Sequence, residues 1–144
     1  MPNTFPPEAQ QIMNERFHRD TLIALATAED AVPSVRAVNA FYEERAFYVI
    51  TDARSGKMRQ IRQNPSVAVC GDWFTGHGVG EDLGPVLAAE NREIAAKLRA
   101  AFASWYANGH TDESNPNTHI LRVRLSRGVL FSHGTRYDID FSAG

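Results

Sequence analysis

The chain has 144 residues, 43% of them hydrophobic and 22% charged, with a formal net charge of -2. That length fits one domain, residues 1–144, with a single core, and the near-neutral charge excludes bulk attraction to nucleic acid. The single cysteine, Cys70, excludes an internal disulfide framework and suits a reducing compartment.

The N-terminal Met1-Pro2-Asn3-Thr4-Phe5-Pro6-Pro7 lacks the charged-then-apolar order of a secretion signal. No apolar run approaches membrane-spanning length, so a cytoplasmic protein with no membrane partner is expected. Residues 6–18 predict a helix, with prolines near its start and Ala9, Ile12, Met13 and Phe17 on one face. Thr21 to Ala28 is short and apolar on both faces, the pattern of a buried strand. Glu29-Asp30-Ala31 turns the chain into a second strand, Pro33 to Tyr42. Glu43-Glu44-Arg45 turns it back into a third, Ala46 to Thr51.

The segment from Thr51 to Pro65 carries the most chemical information. It places Arg54, Lys57, Arg59 and Arg62 around the start of a short helix, with no acid between Asp52 and Asp72. Ser55 is a suitable N-cap, Gly56 allows close approach to the backbone, and Asn64-Pro65 ends the helix. Unpaired amide hydrogens and the positive end of the helix dipole favour an anion there, and Lys57 would add a full charge. A solvated basic helix face is the other reading of the same residues.

Ser66 to Trp73 predicts a fourth strand, with Cys70 in the core. Phe74 to Gly84, rich in glycine, reads as a loop or irregular ribbon. Glu90 to Tyr106 predicts a helix with Ile94, Leu98, Ala101, Phe102 and Trp105 on one stripe, a Glu93–Lys97 pair and Gly109 as its C-terminal cap. Thr111 to Asn117 is a loop. Ile120–Leu125, Val129–Phe131 and Arg136–Phe141 close the chain as two or three strands, the first and last with one wet face. Six or seven mostly antiparallel strands with about three helices predict an α+β fold, a small β-barrel with helices packed outside it.

Arg36 shares a strand face with Val38 and Ala40 and therefore needs a partner. A phosphate held jointly by Arg36, Ser55 and Lys57 would serve, and so would an internal salt bridge, for instance to Asp52. Trp73 and Phe74 either plug a barrel end or dimer seam or form a flat wall for a planar cofactor. Gly56-Lys57 lacks the spacing of a P-loop, and Gly76 to Gly80 lacks that of a dinucleotide fingerprint. The five histidines show no metal-ligand spacing, and no metal is expected. No catalytic residue is assigned, although Tyr48, His77 and His133 are chemically able to exchange a proton or donate a hydrogen bond.

In order, Arg36-Ala37-Val38-Asn39, Phe47-Tyr48-Val49-Ile50-Thr51, Ser55-Gly56-Lys57 and Asn64-Pro65-Ser66-Val67-Ala68-Val69 leading to Trp73 resemble the pyridoxamine 5'-phosphate oxidase family of flavin-binding split barrels. The resemblance implies a split barrel and a homodimer with FMN in the cleft between subunits. It implies that Arg36, Ser55 and Lys57 grip the FMN phosphate, and that Thr51 and the backbone near Val38, Asn39 and Ile50 meet the ribityl chain and ring. It further implies an oxidoreductase that passes electrons from NADH or NADPH to a small-molecule substrate. An FMN-holding or stress-related module without turnover, and a deazaflavin- or haem-binding relative, are the alternatives. Gly56 replaces an arginine of the authentic oxidases, Phe41 a lysine, and no glutamine follows the fourth strand. Their vitamin-binding arginine and histidine are not matched to His133-Gly134-Thr135-Arg136. The resemblance is therefore to a small relative of undefined substrate.

Overall fold

The computed structural model describes residues 4–143; the reading of Met1 to Asn3 lies outside the described residues. Helix α1 (Pro7–Phe17) is followed by strands β1 (Thr21–Glu29), β2 (Val32–Glu43) and β3 (Ala46–Asp52). Then come α2 (Gly56–Gln63), β4 (Ser66–Gly71), β5 (Phe74–Pro85), α3 (Arg92–Ala101), the single turn α4 (Ala103–Tyr106), β6 (Thr118–Ser132) and β7 (Thr135–Asp140). The sheet order is β3-β2-β1-β4-β5-β6-β7, and an additional β3–β6 pairing closes six strands into an antiparallel barrel with β7 outside. The expected α+β barrel is therefore the observed fold.

Tight hairpins set the register. Glu29↔Val32, Glu43↔Ala46 and Ser132↔Thr135 close two-residue loops. Both loop residues have positive φ in each: Asp30 and Ala31, Glu44 and Arg45, His133 and Gly134. Such loops carry the twist that matches paired strands. Inside the barrel, Ile23, Leu25, Phe47, Val49, Val67, Val69, Phe74, Leu121, Val123 and Leu130 are buried. Phe17 of α1 closes one end, its ring 5.4 Å from Phe47 and 5.7 Å from Phe74. Met58 and Ile61 of α2 are buried in the same core. A second cluster, Phe41, Val86, Ala95, Leu98, Phe102 and Ile120, seats α3 outside the barrel.

Four expectations are narrowed or corrected. The glycine-rich stretch is the irregular ribbon rather than the loop: β5 pairs with both β4 and β6, with register shifts at His77/Gly78 and Asp82/Pro85. Its glycines stand at inward positions that neighbours already fill. A Cβ on Gly76 would come 2.8 Å from the Phe74 ring, on Gly78 2.4 Å from the Arg124 carbonyl, and on Gly80 2.9 Å from Ile61. Cys70 is exposed, because β4 turns Val67 and Val69 inward and Cys70 outward. The long helix breaks at Phe102 (φ -96, ψ 17), which ends α3 and begins α4, and Ala107 rather than Gly109 caps the end. The expected strands Ile120–Leu125 and Val129–Phe131 form one continuous β6.

The barrel is split between β2 and β3. Their pairing covers only Phe41↔Tyr48, Tyr42↔Phe47 and Glu43↔Ala46. Beyond Tyr48 the two strands part, leaving that edge of β3 without a strand partner.

Candidate functional site

Chain separation at the split opens a pocket of about 400 Å³, within the usual range of ligand clefts, about 300–1,000 Å³. Val38 and Asn39 line it from β2, Val49 and Ile50 from β3, Lys57 from α2, and Trp105, Asn108 and His110 from the α4 region. Ile50, Thr51, Asp52 and His110 continue into an adjoining depression of about 280 Å³. A larger hollow of about 740 Å³ lies beside α1 and the β2–β3 turn. Its Arg45 is occupied by the carbonyls of Phe141 and Ala143, so it offers less to an anion.

Of the four cations near α2, three find carboxylates from the fold. Arg54 pairs with Asp52 at 2.9 Å, Arg59 with Glu29 at 3.3 Å and Arg62 with Asp82 at 3.3 Å. The solvated-face reading therefore describes these three arginines. Lys57 differs: its ammonium donates to Thr51 Oγ1 at 2.6 Å and has no carboxylate within 4.0 Å among the described residues. Burial holds its pKa below the ordinary lysine value, and the charge of Arg36 lowers it further, against a smaller opposing effect of Asp52.

Arg36 has no carboxylate partner either among the described residues, and the salt bridge to Asp52 does not form. One terminal nitrogen, Nη1, donates to Thr27 Oγ1 at 2.8 Å and to Leu25 O at 3.2 Å, and Nη2 donates to Gln60 Oε1 at 3.5 Å. Burial lowers its pKa. Two neighbouring cations, both partly desolvated and both bonded only to neutral acceptors, are costly without an anion between them.

The start of α2 adds donors. Ser55 caps the helix by accepting from the Met58 amide at 3.4 Å, while the amides of Gly56 and Lys57 find no acceptor among the described residues. The space where a Cβ of Gly56 would project is open to 4 Å. This donor set fits a phosphate group, and the pocket leading from Lys57 along β2 and β3 fits the rest of a mononucleotide tail.

The structure places Val38, Asn39, Ile50 and Lys57 in the pocket and Thr51 in the adjoining depression. Arg36 and Ser55 line neither, and stand next to Lys57, Arg36 close enough for its charge to act on the ammonium and Ser55 as the cap of α2. Trp73 lies apart, 72% exposed on the β4–β5 turn, beside Arg16, Phe131 and His133. Phe74, its neighbour, is core. Tyr48, His77 and His133 do not line the pocket either. Sequence reasoning missed Thr27, Gln60, Trp105, Asn108 and His110. Trp105 carried a signal, an aromatic on an amphipathic stripe, but that signal points equally to core packing.

No match was found among curated proteins. Among solved structures, the chain is similar to general stress protein 26 of Bacillus anthracis, with 16% identity, a TM-score of 0.68, and 90% of this chain and 98% of that chain covered. It is similar to a FAD-binding protein of Mesorhizobium loti, at 19% identity and TM-score 0.62, covering 82% and 90%. It is also similar to a haem-binding protein of Mycobacterium smegmatis, at 15% identity and TM-score 0.62, covering 85% and 53%. These likenesses concern the fold. The family model for pyridoxamine 5'-phosphate oxidase matches residues 9–130, and the protein belongs to that family.

Proposed function

We propose that the protein is an FMN-dependent oxidoreductase that binds the flavin by its phosphate and moves a hydride between a nicotinamide, NADH or NADPH, and a small organic acceptor. The observation that carries this reading is the pair Arg36 and Lys57, two half-buried cations bonded only to neutral acceptors. Arg36, Lys57, Ser55 and the first amides of α2 hold the phosphate. Thr51, Val38, Asn39 and the β2-facing edge of Ile50 line the space for the ribityl chain and ring. The bound flavin supplies hydride acceptance and donation, and the chain supplies placement and exclusion of water.

The reading includes a homodimer in the cytoplasm. The outward face of β1, β2 and β4 presents Leu22 (63% exposed), Val35 (70% exposed), Ala24, Ala37, Ala68 and Cys70, an uncharged surface suited to a second copy. Trp73 reaches a flavin only if a second subunit brings it there. A flavin carrier without turnover is the second reading, favoured by the absence of Tyr48, His77 and His133 from the pocket.

Purified protein should carry a flavin absorbance that NADH or NADPH bleaches and a small acceptor restores; a flavin that no nicotinamide reduces would favour the carrier. Arg36→Ala and Lys57→Ala should each weaken FMN binding by about 1.5–3 kcal/mol, the range for hydrogen bonds to charged groups. Full flavin retention in both variants would place the site elsewhere.

A further inference from the structure

Gln60 is a buried polar residue, 9% exposed, on α2. Its Oε1 accepts from the hydroxyl of buried Thr27 and from Nη2 of Arg36. Thr27 in turn accepts from Nη1, which also donates to the Leu25 carbonyl. These contacts use three of the five guanidinium donors. They leave Nε–H and one Nη2–H, which lie on one edge of the planar group, the edge that can address two oxygens of an anion at once. Every acceptor in this mount is neutral. A carboxylate in place of Gln60 would hold Arg36 more strongly and cancel its charge.

We infer that Gln60, with Thr27, is a positioning residue that fixes the Arg36 guanidinium while preserving its positive charge, and that this neutral mount makes the site select phosphorylated over unphosphorylated flavin. The inference rests on the FMN reading above but is separable from it. An unmounted arginine in a half-buried site would sample several rotamers or fold back onto a carboxylate, as Arg54, Arg59 and Arg62 do. Arg36 is the cation of this region that reaches the phosphate position from the barrel rather than from the α2 segment. Its aim therefore depends on a contact between β1, β2 and α2.

The test compares FMN with riboflavin, which lacks the phosphate, by fluorescence titration of the flavin-free protein. Gln60→Glu keeps the side-chain length and supplies an internal counter-charge. It should weaken FMN by about tenfold or more, the equivalent of roughly 1.4 kcal/mol, and leave riboflavin within about twofold. Inorganic phosphate should compete with FMN in the wild type and lose that effect in the variant. The flavin-free variant should melt no lower than wild type, since it gains an ion pair. Thr27→Val, which removes the second acceptor with little change in volume, should weaken FMN by a smaller factor, about threefold, again sparing riboflavin. Equal losses for FMN and riboflavin, or no loss for either, would overturn the neutral mount where Gln60→Glu gives that result and the positioning role where Thr27→Val does. Should Arg36→Ala and Lys57→Ala also leave the wild-type preference for FMN intact, the phosphate site itself would be wrong. If only the Gln60 and Thr27 variants lack the effect, the FMN reading stands and the mount does not.

Discussion

Trp105 Nε1 donates to Asp20 Oδ2 at 2.9 Å, and Asn39 Nδ2 donates to the other oxygen of that carboxylate at 3.0 Å. One side chain after α1 thus ties the short α4 to the β2 rim of the pocket. The Trp105 ring also stacks on Phe102, with centroids 4.8 Å apart, so the break between α3 and α4 has a packed pivot. A second tie, Glu113, accepts from Arg99 and Tyr106 at 2.8 and 2.5 Å and holds the following loop to the same helices.

Asp20→Ala should therefore release both walls together. Flavin affinity should fall roughly tenfold, as expected for hydrogen bonds to a charged acceptor at a half-exposed position, while global stability changes by about 1 kcal/mol or less. Fluorescence titration and thermal melting measure the two effects. An unchanged affinity would mean that α4 does not wall the site.

Gly78 faces the backbone of β6, where an added Cβ would lie 2.4 Å from the Arg124 carbonyl oxygen. The register shift between His77 and Gly78 lies at this point. A clash with backbone cannot be relieved by a rotamer change. Gly78→Ala should lower stability by about 1–3 kcal/mol, the ordinary cost of overpacking. Gly56→Ala, in open space at the start of α2, should cost far less. Denaturant unfolding of the two variants makes the comparison.

Tyr42 is buried, and burial raises its phenol from 10.0 to about 12, with a partial offset from Arg45. Between those values the unfolded chain releases the proton while the folded chain keeps it. Stability therefore falls as pH rises through that window. Tyr42→Phe should remove about 2 kcal/mol of that alkaline loss. Melting temperatures of variant and wild type, measured at neutral pH and again above pH ~10, should converge or cross in the variant's favour. A constant gap would show that the phenol does not titrate late.

Much of the architecture can be read from the chain. Leu121, Val123 and Leu125 alternate with Arg122 and Arg124, and the structure buries the first three residues. The charged turns at Glu29–Ala31 and Glu43–Arg45 close hairpins at the expected places. Ser55, Asn64 and Pro65 bound α2 as their local chemistry requires. Such features depend on neighbours within a few residues, so a linear string contains them.

Other features depend on partners from distant strands. Glu29 and Asp82 neutralise Arg59 and Arg62, and no local pattern reveals that they will. The glycines of β5 look like a loop until Phe74 and Ile61 are seen to fill the space they leave. Alternation shows that Cys70 opposes Val67 and Val69, but not which set faces inward. Local sequence thus specified the hairpins, most of the strands and which side chains are candidates for an anion site. Closure of the barrel left Arg36 and Lys57, the two cations beside the split, without carboxylate partners among the described residues, because charge neutralisation acts through space between residues that folding brings together.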